Sequence, residues 1–319
     1  MRLLVTGATG FVGRAVLARA LSEPALQLRG SLRRQVSDLP AGVEQVLVSD
    51  LAPDTDWQHA VSGMDAIIHT AARVHVMRDV ATDPLAEFRR INVAGTLNLA
   101  RQAAEAGVRR FVFVSSIKVN GEATSGEQKF SGQDQPSPQD PYGISKWEAE
   151  LGLHKIAAET GMEVVIVRLP LVYGPGVKGN FAQMLGAIAK CIPLPFASIH
   201  NLRSLIYVEN LADALLACAN HSVAAGQTYL ACDGEDISTP DLLRQLAGGM
   251  GVPYRLFSCP AMLLRLAGQL TGKSQQIERL LGSLRVDGDK MRADLNWVPP
   301  YSLRQGLQAT AEWYRTKHT

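Results

Sequence analysis

The sequence predicts an α/β protein, with a doubly wound parallel sheet followed by a smaller C-terminal α/β lobe. Three observations carry this. Short apolar runs alternate with helix-length segments through the first half, the pattern of a parallel sheet covered by helices on both faces. In "LLVTGATGFVG" a glycine-spaced turn stands where the first strand hands over to the first helix. After "RLPLVYGPG" the segments shorten, and prolines punctuate the chain at Pro175, Pro193, Pro195, Pro240, Pro253 and Pro260. The 319 residues suffice for a large core, and 46% hydrophobic with 19% charged residues is an ordinary globular balance that argues against disorder.

Taken in order, residues 2–6 read as a strand and 11–22 as a helix. Strands follow near 26–32, 45–48, 65–69, 110–115 and 163–168, with helical periodicity over 84–106 and 142–160. The Gly-, Ser-, Gln- and Pro-rich stretch 121–141 is a loop between a strand and a helix, where compact domains often carry function. "QTYLACDG" at 227–234 reads as a buried strand that returns to the first sheet. The domains are therefore 1–170, with 210–234 returning to it, and 171–319.

Composition excludes several classes. A net charge of +2 gives no footprint for nucleic acid. Cys191, Cys218, Cys232 and Cys259 form no CxxC pair and have no histidine cluster nearby, so reduced thiols in the cytoplasm are expected, and no metal. The apolar run Leu3–Val5 is too short for a secretion signal. No stretch reaches the length of a membrane span. "PAMLLRLAGQL" at 260–270 carries Arg265 and reads as a buried or lobe-facing helix, with membrane-surface contact as the alternative. His69 and His75 flank the fourth strand and suit a structural or substrate-lining role better than a metal.

The glycines name a ligand. Gly7 permits a tight turn, Gly10 lets the backbone approach a pyrophosphate, and Gly13 lets helix and strand pack closely. Phe11 and Val12 lie at the same turn, where the helix offers free N–H groups to phosphate. Strand, turn and helix in that order identify a dinucleotide site of Rossmann type. An NAD site would place an acid at the end of the second strand. This chain has "RGSLRR" there, so Ser31, Arg33 and Arg34 favour the 2′-phosphate of NADP(H), with NAD(H) the alternative. Asp50 and Leu51 follow the third strand at the adenine edge.

Tyr142 and Lys146 stand four apart where Asp140 and Pro141 start a helix, so phenol and ammonium share one face. An adjacent lysine is expected to lower the phenol's pKa from its usual ~10, so that the pair moves protons near neutrality. Ser116, at the end of a strand, supplies a hydrogen bond for a developing oxyanion.

The ordered motifs "TGATGFVG", "DL", "HTAA", "NVAGT", "VFVSS", "YGISK", "RLPLVYGPG" and "RSLIYVENLADA" span nearly the whole chain. They resemble the extended short-chain dehydrogenase/reductases of the epimerase/dehydratase branch. Within it the chain is similar to UDP-glucose 4-epimerase-like proteins, and most of all to bacterial reductases of UDP-4-keto-6-deoxy-N-acetylglucosamine that serve surface polysaccharide synthesis. The resemblance implies Ser116, Tyr142 and Lys146 as catalytic residues. It implies Ala71, Ala72, Asn92 and Pro170 beside the cofactor. Asn180, Phe181 and Arg203 would receive the diphosphate of a UDP-sugar. Arg279 is the candidate for the C-terminal clamp, with Arg285 as a structural residue. It also implies a homodimer through helices 84–106 and 142–160, where Ile144, Trp147, Leu151 and Ala158 form an outward stripe. Lys118 and Asn120 depart from the 4-epimerase pattern, and Lys118 is expected near the sugar. Together with Arg33 and Arg34 it favours a 4-reductase. A 4-epimerase is the alternative, and a catalytically silent NADP-binding regulator is the reading from another class.

Overall fold

A computed structural model describes residues 1–74, 83–272 and 274–318. Its main sheet contains β1 (Arg2–Thr6), β2 (Gln27–Leu32), β3 (Val43–Leu47), β4 (Ala66–His69), β5 (Arg110–Ser116), β6 (Glu163–Leu169) and, after a long excursion, residues Thr228–Leu230. The excursion contributes β7 (Leu171–Tyr173) and β8 (Arg203–Tyr207), so Thr228–Leu230 is β9, and Asp236–Ile237 is β10. The order in the main sheet is β3-β2-β1-β4-β5-β6-β9, and every pairing is parallel. The chain runs outward from β1 to β3, then crosses back to β4 on the other side of β1. The carboxyl ends of β1 and β4 therefore flank a switch point, the crevice where open α/β sheets bind ligands.

The strands are near-continuous apolar runs because both sheet faces are covered. Leu3, Val5, Ile68 and Val165 pack with helices Phe11–Ala20 and Val208–Asn220 on one face. Leu4, Ile67, Phe111 and Ile166 pack with helices Thr96–Glu105 and Pro141–Thr160 on the other.

The expected continuous helix 84–106 is divided. Pro84–Phe88 and Thr96–Glu105 are α-helical, and Arg89–Gly95 between them is a π-helical turn. Such widened turns gather at functional sites, and apolar spacing does not distinguish them from an α-helix.

The second unit has a three-stranded sheet in the order β10-β8-β7. Its core joins Tyr173, Phe181, Leu185, Tyr207, Leu246 and Leu307. Met291, Leu295 and Trp297 are buried in the first core, so the chain returns there a second time, which the sequence reading does not anticipate. The 121–141 stretch is bound across to residues 283–287. Thr124 N–H donates to the Ser283 carbonyl at 2.9 Å, Phe130 N–H to Arg285 at 2.9 Å, and Asp287 N–H back to Phe130 at 2.8 Å.

Helix Ala261–Leu270 corrects the expectation of a buried element. Only Leu264 and Gly268 are buried, whereas Met262 and Leu270 are each 80% exposed. No helix among the described residues is long and apolar enough to cross a membrane. The four cysteines are free thiols.

Candidate active site

The crevice at the switch point begins with the glycine turn. Gly7 takes φ 66°, and Gly10 N–H donates to its carbonyl at 2.8 Å. A Cβ at Gly13 would lie 2.2 Å from the same oxygen, so only glycine lets the helix sit this close. Helix Phe11–Ala20 opens on Gly10 with no side-chain cap and no acidic residue in its first turn. Its N–H groups and positive dipole end are left for an anion. Phe11 and Val12 are half-buried at this turn. The cradle fits the pyrophosphate of a dinucleotide.

Toward the adenosine end, Ser31 is buried within β2, and Arg33 and Arg34 are exposed just beyond it. Arg33 Nη1 stands 3.9 Å from Asp50 Oδ1, a surface contact of little energetic weight. Leu51 is buried, and its N–H donates to Asp50 Oδ1 at 2.9 Å. Ala71 and Ala72 follow β4 half-buried, with Ala71 N–H on Thr6 Oγ1 at 3.3 Å. Pro170 is buried at the end of β6. His69 is buried between Thr6 Oγ1 at 2.7 Å and Thr96 Oγ1 at 3.0 Å, stacked on Phe113. Burial, then the charge of Lys146, pushes it down to about 3, so it is a neutral structural residue. His75 lies outside the described residues.

The helix Pro141–Thr160 carries the candidate catalytic pair Tyr142 and Lys146. Asp140 caps it, accepting from Gly143 N–H at 2.7 Å, and Gly161 ends it at φ 76°. Tyr142 bonds the Ser116 hydroxyl, which stands at the end of β5, and meets the Phe88 ring edge-on. Lys146, one turn on, is buried with Nζ 4.0 Å from the centre of the Phe113 ring. The expected lowering of Tyr142 does not occur. Burial pushes it up to about 12, the Asp140 charge adds to this, and the Ser116 hydrogen bond opposes it. Burial also brings Lys146 down to about 7, with Glu150 pulling the other way. Desolvation disfavours the charged form of each group and dominates both.

Beneath this pair, Glu150 accepts from Ser115 Oγ and from both sides of the Arg168 guanidinium, with Nη2 at 2.7 Å. Arg168 Nη1 donates to Asn120 Oδ1 at 3.1 Å, and Asn120 Nδ2 to the Ser131 carbonyl at 2.8 Å. Asn120 therefore ties the 121–141 stretch to the core.

A second charged group surrounds Asp140. The ammonium of Lys118 bonds Asp140 and also Glu122 at 3.0 Å. Arg279 approaches Glu122 at 3.6 Å and Asp140 at 3.9 Å. Lys118 is thus drawn to two carboxylates, one of which caps the helix that carries Tyr142. Arg203 Nη1 donates to the carbonyls of Arg279 at 2.6 Å and Gly282 at 3.2 Å, fastening β8 to helix Ser274–Leu281. Arg285 pairs with Asp236 at 2.7 Å, a link within the second unit.

The model of the NAD dependent epimerase/dehydratase family matches residues 3–232. The chain belongs to that family. It is 41% identical to a UDP-glucose 4-epimerase of Vibrio cholerae over 97% of this chain and 94% of that protein. It is 26% identical to an N-acetyl-alpha-D-glucosaminyl-diphospho-ditrans,octacis-undecaprenol 4-epimerase of Escherichia coli O157:H7, over 98% of this chain and 94% of the other. A crystal structure of UDP-glucuronic acid 4-epimerase from Bacillus cereus in complex with NAD superposes with a TM-score of 0.80 at 20% identity, covering both chains fully, a likeness of fold.

Of the residues expected at the site, Ser116 and Tyr142 are hydrogen-bonded and Lys146 lies one helical turn beyond Tyr142, while two other side chains have partners in the fold. Phe181 is buried and stacked on Tyr173, so its side chain belongs to the core. Asn180 is exposed in the first turn of helix Gly179–Ala189, where backbone N–H groups have no intrahelical partner. Asn92, in the π turn, uses its amide on Arg73, accepting from its N–H at 2.8 Å and donating to its carbonyl at 3.0 Å, and on Ser145 at 3.1 Å. It fixes the segment after β4 to helix Pro141–Thr160. Sequence reasoning passed over Asp140 as a charge, and Glu150 and Arg168 altogether. The available signal for Glu150 was its spacing of four from Lys146, on the same helix face.

Proposed function

We propose that the chain transfers hydride at C4 of a UDP-linked sugar, in the direction that reduces a UDP-4-keto-6-deoxy-HexNAc with NADPH to supply surface polysaccharide precursors in the cytoplasm. The observation that carries the direction is the exposed pair Arg33 and Arg34 past β2, with no acidic residue in the strand-end sequence "RGSLRR"; the carboxylate of Asp50, which follows β3, comes no nearer Arg33 than 3.9 Å. Two guanidinium forks suit a 2′-phosphate. A reductase that consumes NADPH gains from them, and an epimerase with a captive cofactor does not. The nicotinamide, when bound, carries the hydride. Tyr142 gives its proton to the C4 oxygen, and Ser116 holds that oxygen as charge develops. Lys146, with a pKa about 7, replenishes or withdraws positive charge beside Tyr142 near neutral pH. Asn180, Arg203 and Arg279 are the groups proposed for the sugar diphosphate. A homodimer through the 84–105 and 141–160 helices belongs to the same reading.

A UDP-sugar 4-epimerase is the second reading. The 41% identical Vibrio cholerae relative favours it. The hold of Glu122 and Asp140 on Lys118 also withdraws the argument that this cation blocks a rotating keto-sugar. One purified sample decides. Stoichiometric NADPH oxidation with UDP-4-keto-6-deoxy-GlcNAc, and selective loss of NADPH over NADH affinity in Arg33→Ala/Arg34→Ala, support the reductase. Interconversion of UDP-GlcNAc and UDP-GalNAc with no cofactor added overturns it for the epimerase. Turnover of neither substrate class overturns both.

A further inference from the structure

We propose that the 254–270 face of the second unit docks on the surface of an anionic phospholipid bilayer. Among the described residues sixteen large hydrophobics are exposed, and six of them fall in this one stretch: Tyr254, Phe257, Met262, Leu263, Leu266 and Leu270. Met262, Leu266 and Leu270 recur every fourth residue along helix Ala261–Leu270, so they form one stripe. The opposite side of the helix is occupied. Leu264 and Gly268 are buried, and a Cβ at Gly268 would lie 2.9 Å from Ile277 of helix Ser274–Leu281. The helix is thus seated by its small and inner residues and turns its apolar face to solvent. An apolar patch of this kind marks an interaction surface.

Charge selects the occupant. Residues 242–277 contain Arg244, Arg255, Arg265 and Lys273 and no Asp, Glu or His. Arg244 and Arg265 have partners at or beyond the ends of that segment, Asp241 and Glu278. Arg255 is exposed beside Tyr254, and Leu194 N–H donates to its carbonyl at 2.8 Å. That contact brings in a further exposed cation, Lys190, four residues before Leu194. An apolar stripe in a net basic surround, its adjacent carboxylate Glu278 offset by Arg265, matches an anionic lipid headgroup layer. A second copy of the same face would meet it with like charges. At ten residues the helix lies in the interface and cannot span it. Its neighbour, helix Ser274–Leu281, carries Arg279, so the docked face adjoins the charges around Asp140.

Vesicle co-sedimentation tests this without any sugar substrate, so its outcome is independent of the proposed reaction. The full chain is expected to pellet with phosphatidylethanolamine/phosphatidylglycerol vesicles, less so at high salt, and to stay in solution with phosphatidylcholine alone. Met262→Ser/Leu266→Ser/Leu270→Ser should weaken partitioning by on the order of a hundredfold. Arg255→Glu should weaken it by about fivefold at low salt and little at high salt. All three stripe positions face solvent, so the thermal midpoint serves as the folding control. Failure of the wild type to pellet, or equal pelleting of the triple variant, overturns the proposal. So does a triple variant that changes oligomer mass in light scattering while wild-type protein ignores the vesicles, which would assign the stripe to a second copy.

Discussion

Replacing Lys146 with Met tests the electrostatics of the catalytic helix without a substrate. Lys146 is buried, and burial brings its pKa to about 7 against an ordinary value of ~10.4. Between about pH 7 and pH 9 the unfolded chain keeps this proton while the folded chain gives it up. Unfolding then takes up a proton, so this group makes stability rise with pH. One proton over one pH unit is worth about 1.4 kcal/mol. The folded site is already half-deprotonated at the lower edge, so the gain across the two units is about 2 kcal/mol. Met keeps the volume and the contact with Phe113 and removes the titration. Denaturant unfolding of both proteins at the two pH values, without added cofactor, gives the difference of differences, in which unchanged groups cancel. Wild type should gain about 2 kcal/mol more than Lys146→Met over that interval. Parallel pH dependences would refute the reasoning and mean that the ammonium is solvated in the folded protein.

Three further outcomes are expected. Tyr142→Phe should cut turnover by ~10²–10⁴-fold while cofactor affinity, read by fluorescence titration, stays near wild type. Asp140→Ala removes the cap of the catalytic helix and should cost about 1 kcal/mol in unfolding experiments; because Asp140 raises Tyr142, the basic limb of the turnover profile should move to lower pH. Arg168→Met leaves Glu150 buried without its cation and should cost about 3–5 kcal/mol, whereas the double change with Glu150→Leu should recover much of that loss.

Local chemistry was legible in the sequence and long-range chemistry was not. The turn at Gly7, Gly10 and Gly13 and the start of the catalytic helix at Asp140 and Pro141 are written in neighbouring residues, and the structure places them where the sequence puts them. The π turn at 89–95 was invisible because its residues keep a helix-like apolar spacing. The position of Lys118 depended on Glu122, near in sequence, and Asp140, which is not; neither pairing follows from a motif. The sign of the Tyr142 shift required knowing how deeply it is buried, and an i,i+4 lysine alone suggested the opposite. For Ala261–Leu270, the apolar run correctly gave a helix but could not say which side would find a partner.

The cross-links between the 121–141 stretch and residues 283–287 join segments 161 positions apart at Thr124 and Arg285. Their consequence is kinetic. A segment of this length tethered only at its ends would fluctuate on the nanosecond-to-microsecond scale. Here Leu284 is itself bonded on its other side to Leu202 and Ser204, so the stretch cannot peel away without unzipping a continuous ladder into β8. Amide exchange at Thr124, Phe130, Leu284 and Asp287 should therefore be governed by one shared opening event. Exposure of this stretch is then set by the slow working of a whole lobe, and not by the flicker of a loop.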